Sequence, residues 1–238
     1  MTLGINVISR GVRFTPFKFI KQRVIAYLPL FIKKDSQMIV FLTTERLILR
    51  QFTQNDVDNL IALDSDAEVM RFINGGIPST YQDITEKFLP DVLSYYDEFD
   101  NLGFWAIVEK SSQEFIGWVV LRPESRFRLA KILGVANDAL ELGYRLRKIS
   151  WGKGYATEAS LAVIKQAFNS SSKGKKIVAW ALPENRASIN VMQKLGMTLQ
   201  QEYTLTTADV LPHVELLESP VIQNLLDKKI VKYQLSNN

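Results

Sequence analysis

The chain has no cysteine and a single histidine, His213, among its 238 residues. Those two scarcities exclude a thiol nucleophile, a disulfide framework and a Cys/His zinc site. A Ser-His-Asp hydrolase would have to use His213, yet no G-x-S-x-G elbow is present to serve it. Read alone, His213 is a surface or loop histidine, and no metal is expected. Long apolar runs are scarce as well. The longest near the N-terminus, Val24 to Ile32, is interrupted by Pro29 and has about half the length a bilayer span needs. It also lacks the basic, apolar, small-residue order of a secretory signal. No stable membrane span follows, and a cytoplasmic location is expected.

Charge is present but unevenly placed. The whole chain carries a formal +4 with a pI near 9.1, while residues 1–37 hold seven Lys/Arg and one acid. The remainder is therefore mildly acidic. A basic face that could track a nucleic-acid backbone is not implied for it, and no nucleic-acid partner is expected. Three readings fit the basic segment 1–37: an amphipathic arm for a membrane surface or partner, an accessory element packed on the domain, or an upstream start-site artefact. The last is preferred, because Met38-Ile39-Val40-Phe41-Leu42 leads directly into a strand. At 47% hydrophobic residues, 38–238 is read as one globular domain.

Within that domain, Thr44 to Phe52 reads as a strand ending at the polar cluster Thr53-Gln54-Asn55-Asp56, which caps a short helix with Val57, Leu60, Ile61 and Leu63 inward. A second helical region starts after Pro78, with Thr80 and Asp83 in a capping-box arrangement, and Pro90 should kink or break it before Val92–Phe99. Phe104–Glu109 and Glu114–Arg122 form a hairpin. A polar connection over 123–138 leads to a strand at Leu140–Arg147, then a helix at Tyr155–Asn169 that lays Ala159, Val163 and Ala167, beside Leu161, Ile164 and Phe168, on a sheet. A strand at Ile177–Leu182 and a helix at Asn185–Leu195, stopped by Gly196, follow. Two strands, Met197–Thr206 and Lys229–Leu235, close the domain around an acidic loop. The order β-α-α-β-β-β-α-β-α-β-β is a mixed α+β pattern, unlike the strict alternation of a doubly wound sheet.

The most informative local feature joins the strand Glu141-Leu142-Gly143-Tyr144-Arg145-Leu146 to the turn Trp151-Gly152-Lys153-Gly154 and the helix start Tyr155-Ala156-Thr157-Glu158-Ala159. Two glycines within three residues permit positive φ, and the first amides of a helix have no intrahelical acceptor. Such a turn is an anion site suited to a phosphate or pyrophosphate, although a purely structural turn would use the same residues. A dinucleotide-binding fingerprint fits less well. The third glycine is missing, and no acid stands about 20 residues on, where Ile177 to Trp180 lie.

Taken in order, these segments resemble the GNAT superfamily of acyl-CoA N-acetyltransferases, within it the RimJ/RimL-like branch, across about residues 42–236. The resemblance is carried by Thr44-Glu45-Arg46-Leu47-Ile48-Leu49-Arg50, Gly103-Phe104-Trp105-Ala106-Ile107-Val108, Phe115-Ile116-Gly117-Trp118, Glu141-Leu142-Gly143-Tyr144, the glycine turn, and Asn185-Arg186-Ala187-Ser188 through Lys194-Leu195-Gly196-Met197. The family's turn pattern, Gln/Arg-x-x-Gly-x-Gly/Ala, falls on Trp151, Gly154 and Ala156, and Trp151 departs from it. The resemblance implies a mainly antiparallel central sheet flanked by helices, with a V-shaped cleft between the fourth and fifth core strands. It also implies acetyl-CoA as co-substrate, a homodimer as a possible assembly, and a primary amine as acceptor, either a small molecule or a protein N-terminus.

Under that resemblance the amides of Gly152, Lys153, Gly154, Tyr155 and Ala156, with Trp151 at the turn's start, hold the pyrophosphate. Asn185 reads the pantetheine arm while capping its helix. Glu141 is the candidate base, an acid in an apolar strand whose partial burial would raise its pKa toward a useful range; the alternative is a strand-edge glutamate facing water. A strand amide among Leu142, Gly143 and Tyr144 would hold the oxyanion, with Gly143 allowing a local bulge. Where many relatives place a proton-donating Tyr, this chain has Met192. Ser188 is the remaining hydroxyl on that helix face, or simply a small residue bonding the backbone. Without cysteine, direct transfer in a ternary complex is implied. The competing function is a non-catalytic acyl-CoA sensor or degenerate GNAT domain. The acids Asp91, Asp97, Glu98, Asp100, Asp209, Glu215 and Glu218 lie in segments that line the acceptor side in this family and suggest a cationic acceptor.

Overall fold

A computed structural model describes residues 38–135, 138–169 and 176–236; the basic segment 1–37 and the readings attached to it lie outside the described residues. Eight strands form one sheet in the order β1-β2-β3-β4-β5-β6-β8-β7. These are β1 (Val40–Thr43), β2 (Leu47–Arg50), β3 (Gly103–Glu109), β4 (Phe115–Pro123), β5 (Ala139–Leu146), β6 (Lys176–Ala181), β7 (Thr198–Thr204) and β8 (Lys229–Ser236). Every neighbouring pair is antiparallel except β5–β6. The mixed, mainly antiparallel α+β fold is the expected one.

Helices cover both faces. On one, α5 (Tyr155–Asn169) and α6 (Arg186–Lys194) bury Ala159, Val163, Ile164, Ala167 and Met192 against Leu49, Ile107, Leu121, Leu142 and Ile177. On the other, α1 (Val57–Asp64) and α3 (Leu89–Glu98) bury Leu60, Leu63, Leu89 and Val92 against Phe104, Trp118 and Val120. Each fully enclosed Leu, Ile, Val or Met side chain among them contributes about 1.5–3 kcal/mol. Leu161, expected inward, is 37% exposed. A third cluster around Leu129, Leu182, Val210, Ile222 and Ile230 binds the short helices α4 (Ala130–Leu133), α7 (Thr207–Val210) and α8 (Pro220–Leu225).

Several expectations change. The single first strand is a hairpin, because the chain reverses at Thr44–Arg46, where the Thr44 amide donates to Leu47 O at 2.9 Å. The helix α2 (Ala67–Asn74), with Asp66 as N-cap and Gly75 left-handed at φ 83°, stands where no element was expected. Thr80 and Asp83 do cap each other's backbone. Pro90, however, does not break the helix that follows. A wide π-helical turn over Asp83–Phe88 runs directly into α3, and such a turn accommodates both the absent proline N–H and its ring. The connection 123–138 and the acidic loop contain short helices rather than open coil.

Candidate functional site

The site begins where the sheet parts. Strands β5 and β6 pair only through Ala139–Lys176, Leu140–Ile177 and Glu141–Val178. From Leu142 onward β5 remains in register with β4, while its other edge has no strand partner among the described residues. These are the fourth and fifth strands of the sequence-based order, so the cleft lies where expected. Leu142, Gly143 and Tyr144 line it from one side, Ala181, Asn185, Ser188 and Met192 from the other.

Past the end of β5 the chain makes the glycine turn. Gly152 and Gly154 sit at φ 74° and 82°, a region L-residues with side chains avoid. The amides of Gly152, Lys153, Gly154, Tyr155, Ala156 and Thr157 donate to no group among the described residues. Glu158 is the first to pair, to Gly154 O at 3.0 Å. Six adjacent free donors at the start of a 15-residue helix are a ready anion site. Trp151, which departs from the family pattern, anchors the turn instead: its indole N–H donates to Leu146 O at 2.8 Å.

The turn also has a brace that sequence reasoning missed. Glu158 accepts from Thr44 Oγ1 (2.6 Å), the Arg46 amide (3.0 Å) and Arg46 Nε (2.7 Å), and Arg46 reaches on to Lys153 O at 3.0 Å. The guanidinium also stacks 4.6 Å from the Tyr155 ring centre. Burial pushes the Glu158 carboxyl up, but the Thr44 and Arg46 hydrogen bonds outweigh it and hold the group below its ordinary value. The β1–β2 hairpin is thereby tied to the first turn of α5.

Alternation along β5 sorts its side chains. Leu142 faces the α5/α6 layer, whereas Glu141, Gly143 and Arg145 face the opposite one. Glu141 is buried, as expected, at 5% exposure. It is not solitary: Arg122, its cross-strand neighbour, donates from Nε to Oε2 at 2.8 Å. The isolated acid is half of an ion pair. Arg145 similarly donates to Asp64 of α1 at 2.6 Å. Gly143 makes no bulge, since the β4–β5 register runs without a shift. A Cβ there would lie 2.9 Å from Val120 Cγ1 and 3.4 Å from Glu141 Oε1, so close packing beside the acid is what demands glycine.

On the far wall Asn185 caps α6, its Oδ1 accepting from the Ser188 amide at 3.2 Å. Tyr144 donates across the cleft to Ser188 O at 2.9 Å, with Ser188 Oγ at 3.0 Å. Burial raises the Tyr144 phenol above its ordinary value, opposed by the Ser188 hydrogen bond. Sequence reasoning assigned Tyr144 only a backbone part; its hydroxyl joins Ser188. Met192, 1% exposed, adds no polar group. His213 lies in a short helical stretch outside the cleft.

The expected acidic lining is absent. Asp91, Asp97, Glu98, Asp100, Asp209, Glu215 and Glu218 are exposed and none lines the cleft. Glu98 pairs with Arg126 and Asp209 caps Thr206. Among the described residues, no group of three or more His, Asp or Glu could hold a metal, and no helix is long and apolar enough to cross a membrane.

A family model described as an acetyltransferase (GNAT) domain matches residues 46–198. The chain belongs to the GNAT acetyltransferase family. It is similar to the uncharacterized protein YkkB of Bacillus subtilis, with 28% identity over 162 residues, 66% of this chain and 84% of that one. It is also similar to the FsC-acetyl coenzyme A-N(2)-transacetylase of Aspergillus fumigatus, 29% identical over 157 residues, 66% of this chain and 64% of that protein. Among solved structures, the ribosomal L7/L12 alpha-N-protein acetyltransferase RimL in complex with coenzyme A superposes with a TM-score of 0.59 at 14% identity, covering 83% of this chain and 97% of that one. At that identity the likeness to RimL is one of fold.

Proposed function

We propose that this GNAT protein moves an acetyl group from acetyl-CoA to a primary amine by direct transfer in a ternary complex. The observation that carries this reading is the run of six unpaired amides from Gly152 to Thr157, placed one turn beyond a strand whose edge is open to the cleft. Acetyl-CoA fits that arrangement: the diphosphate takes the amides, and the extended pantetheine lies in the parting beside Leu142–Tyr144, with Asn185 opposite. The name of the Aspergillus relative and the coenzyme in the RimL structure support the same donor.

The chemistry then divides among this chain's own groups. Glu141, directly or through one water, takes a proton from the ammonium so that the free amine can attack the thioester carbonyl. Donors along the open β5 edge meet the oxygen that becomes negative in the tetrahedral intermediate. The thiolate leaves as the C–S bond breaks, and the Tyr144–Ser188 hydroxyl pair hands it a proton. Tyr144, kept protonated by burial, is suited to that step. Holding amine and thioester together in the cleft supplies most of the rate. Residues 38–238 are proposed as a single catalytic domain, with 1–37 dispensable for turnover.

A thiol-release assay over a panel of amines, beside calorimetry with coenzyme A and with NAD, tests the reading. Heat with coenzyme A and thiol release with at least one amine are expected, equally from the full chain and from one starting at Met38. Coenzyme A binding without turnover on a wide panel would favour the sensor reading instead, and heat with NAD alone would overturn both.

A further inference from the structure

The acceptor side of the cleft has a charge that nothing in it balances. Of the residues lining it, Arg122, Arg128, Glu141 and Arg145 carry full charges. Arg122 is taken by Glu141 and Arg145 by Asp64, reaching in from α1. Arg128 has no hydrogen bond or ion pair among the described residues. The backbone that carries it is anchored. The next two residues, Leu129 and Ala130, are 1% and 6% exposed, and the Ala130 amide donates to Phe127 O at 2.9 Å.

Arg128 is exposed and lines the cleft. Desolvation by the cleft walls, then the like charges of Arg145 and Arg122, push its guanidinium down, with Glu141 and Asp64 pulling the other way. It is still a cation at neutral pH, and a repelled one. The rest of the lining has the same bias. Trp118 Nε1, Trp180 Nε1 and Arg145 Nε are buried without an acceptor, while no fully buried side-chain acceptor of the lining is without a partner. An unpaired guanidinium repelled by its neighbours is stabilised by an incoming anion, and its fork matches carboxylate and phosphate oxygens.

We propose that Arg128 binds an anionic group, carboxylate or phosphate, on the amine acceptor, so that the substrate class is amines that also bear an oxyanion. The inference rests on the acetyl-transfer reading above and reverses the cationic preference suggested by the acids of the sequence. Glu141 and Arg128 both line the cleft. An acceptor can therefore present its ammonium to the former and its anion to the latter.

The test is a set of matched acceptors: phenylalanine against its amide and phenethylamine, and O-phosphoethanolamine against ethanolamine. Each is measured on the full chain both as turnover with acetyl-CoA and as binding to protein saturated with coenzyme A, for wild type, R128Q and R128K. In at least one set the anionic member is expected to bind about 10- to 100-fold more tightly than its neutral partner, the range of a charge-assisted pair. R128Q should erase that difference chiefly through KM, R128K should restore part of it, and both should retain coenzyme A affinity. The phenylalanine and phosphoethanolamine arms separate carboxylate from phosphate. Equal binding within every set, a preference for the neutral member, or an undiminished preference in R128Q overturns the inference alone if coenzyme A binding and thiol release persist. Failure of coenzyme A to bind overturns the acetyl-transfer reading with it.

Discussion

Glu141→Gln isolates the proposed base with the least disturbance, because glutamine keeps the volume and a carbonyl that can still accept from Arg122 Nε. The pair it alters is enclosed, with side-chain exposures of 7% for Glu141 and 13% for Arg122. Removing the charge while keeping the hydrogen bond should cost about 1–3 kcal/mol. For a domain of this size that lowers the thermal midpoint by about 2–12 °C. The rate effect is separate and larger: loss of a positioned base slows proton removal by about 10²–10⁴. Both kcat and kcat/KM for the amine should fall together, with KM for acetyl-CoA unchanged. Arg122→Gln supplies the contrast. It leaves the acid but strands a buried carboxylate, at about 3–5 kcal/mol, so it should lose more stability than E141Q and less rate. Thiol-release kinetics and a thermal melt on the two variants decide the matter. If E141Q keeps more than about a third of wild-type kcat while its midpoint drops, the pair is structural and the proposed base is wrong.

Three further outcomes follow from other contacts. Gly117→Ala should be among the most damaging small substitutions, since Gly117 sits at φ 146° and its Cβ would lie 2.1 Å from Arg145 O and 2.7 Å from Leu146 Cα, both backbone. A loss of at least about 3 kcal/mol is expected in a denaturant melt; a loss below 1 kcal/mol would contradict the packing. Glu158→Gln loosens the brace on the glycine turn. The pair is partly exposed, with Arg46 at 44% and Glu158 at 18%, so KM for acetyl-CoA should rise only about 2- to 5-fold with kcat unchanged; the reverse pattern would detach the brace from coenzyme binding. Burial pushes the Asp56 carboxyl up, but hydrogen bonds from Arg50 and Thr53 outweigh it and leave the group below its ordinary value. A folded-state pKa below the unfolded one stabilises the fold above about pH 4 and loses that contribution as pH falls further. Melts at successive pH values should therefore drop more steeply below pH 4 for wild type than for Asp56→Asn.

What the sequence discloses and what it hides divide by the distance over which a contact acts. The helix Tyr155–Asn169, the glycines before it, and Asn185 and Gly196 at the ends of α6 are set by periodicity, caps and positive φ, all local. They stand where the pattern put them. The β1–β2 reversal is not readable, because the carboxylate that gathers Thr44 and Arg46 lies 114 and 112 positions away, respectively. Glu141 could be chosen as an acid in an apolar strand. Its partner Arg122, 19 residues distant, and the Arg145–Asp64 pair, 81 apart, exist only once β4, β5 and α1 are assembled. Local signals for α2 are present in Asp66 and Gly75, its N-cap and left-handed C-cap. Composition misled at the acceptor side: acids close in sequence to a site need not face it.

In the proposed reading, the single strand β5 lets coenzyme and acceptor chemistry meet without mixing. Consecutive residues of a strand face opposite sides, so Leu142 packs with the α5/α6 layer while Glu141, Gly143 and Arg145 join the layer of α1 and α3. The end of β6 pairing at Glu141–Val178 opens the edge between the two layers at the residue that carries the proposed base. A thioester lying along that edge has donors on the strand itself, the Tyr144–Ser188 hydroxyls on one side and the Glu141 carboxylate on the other. Gly143 is the hinge of this arrangement in a steric sense. A Cβ there would crowd Val120 Cγ1 at 2.9 Å and come into ordinary contact with Glu141 Oε1 at 3.4 Å, so a larger residue displaces Val120 before it reaches the acid.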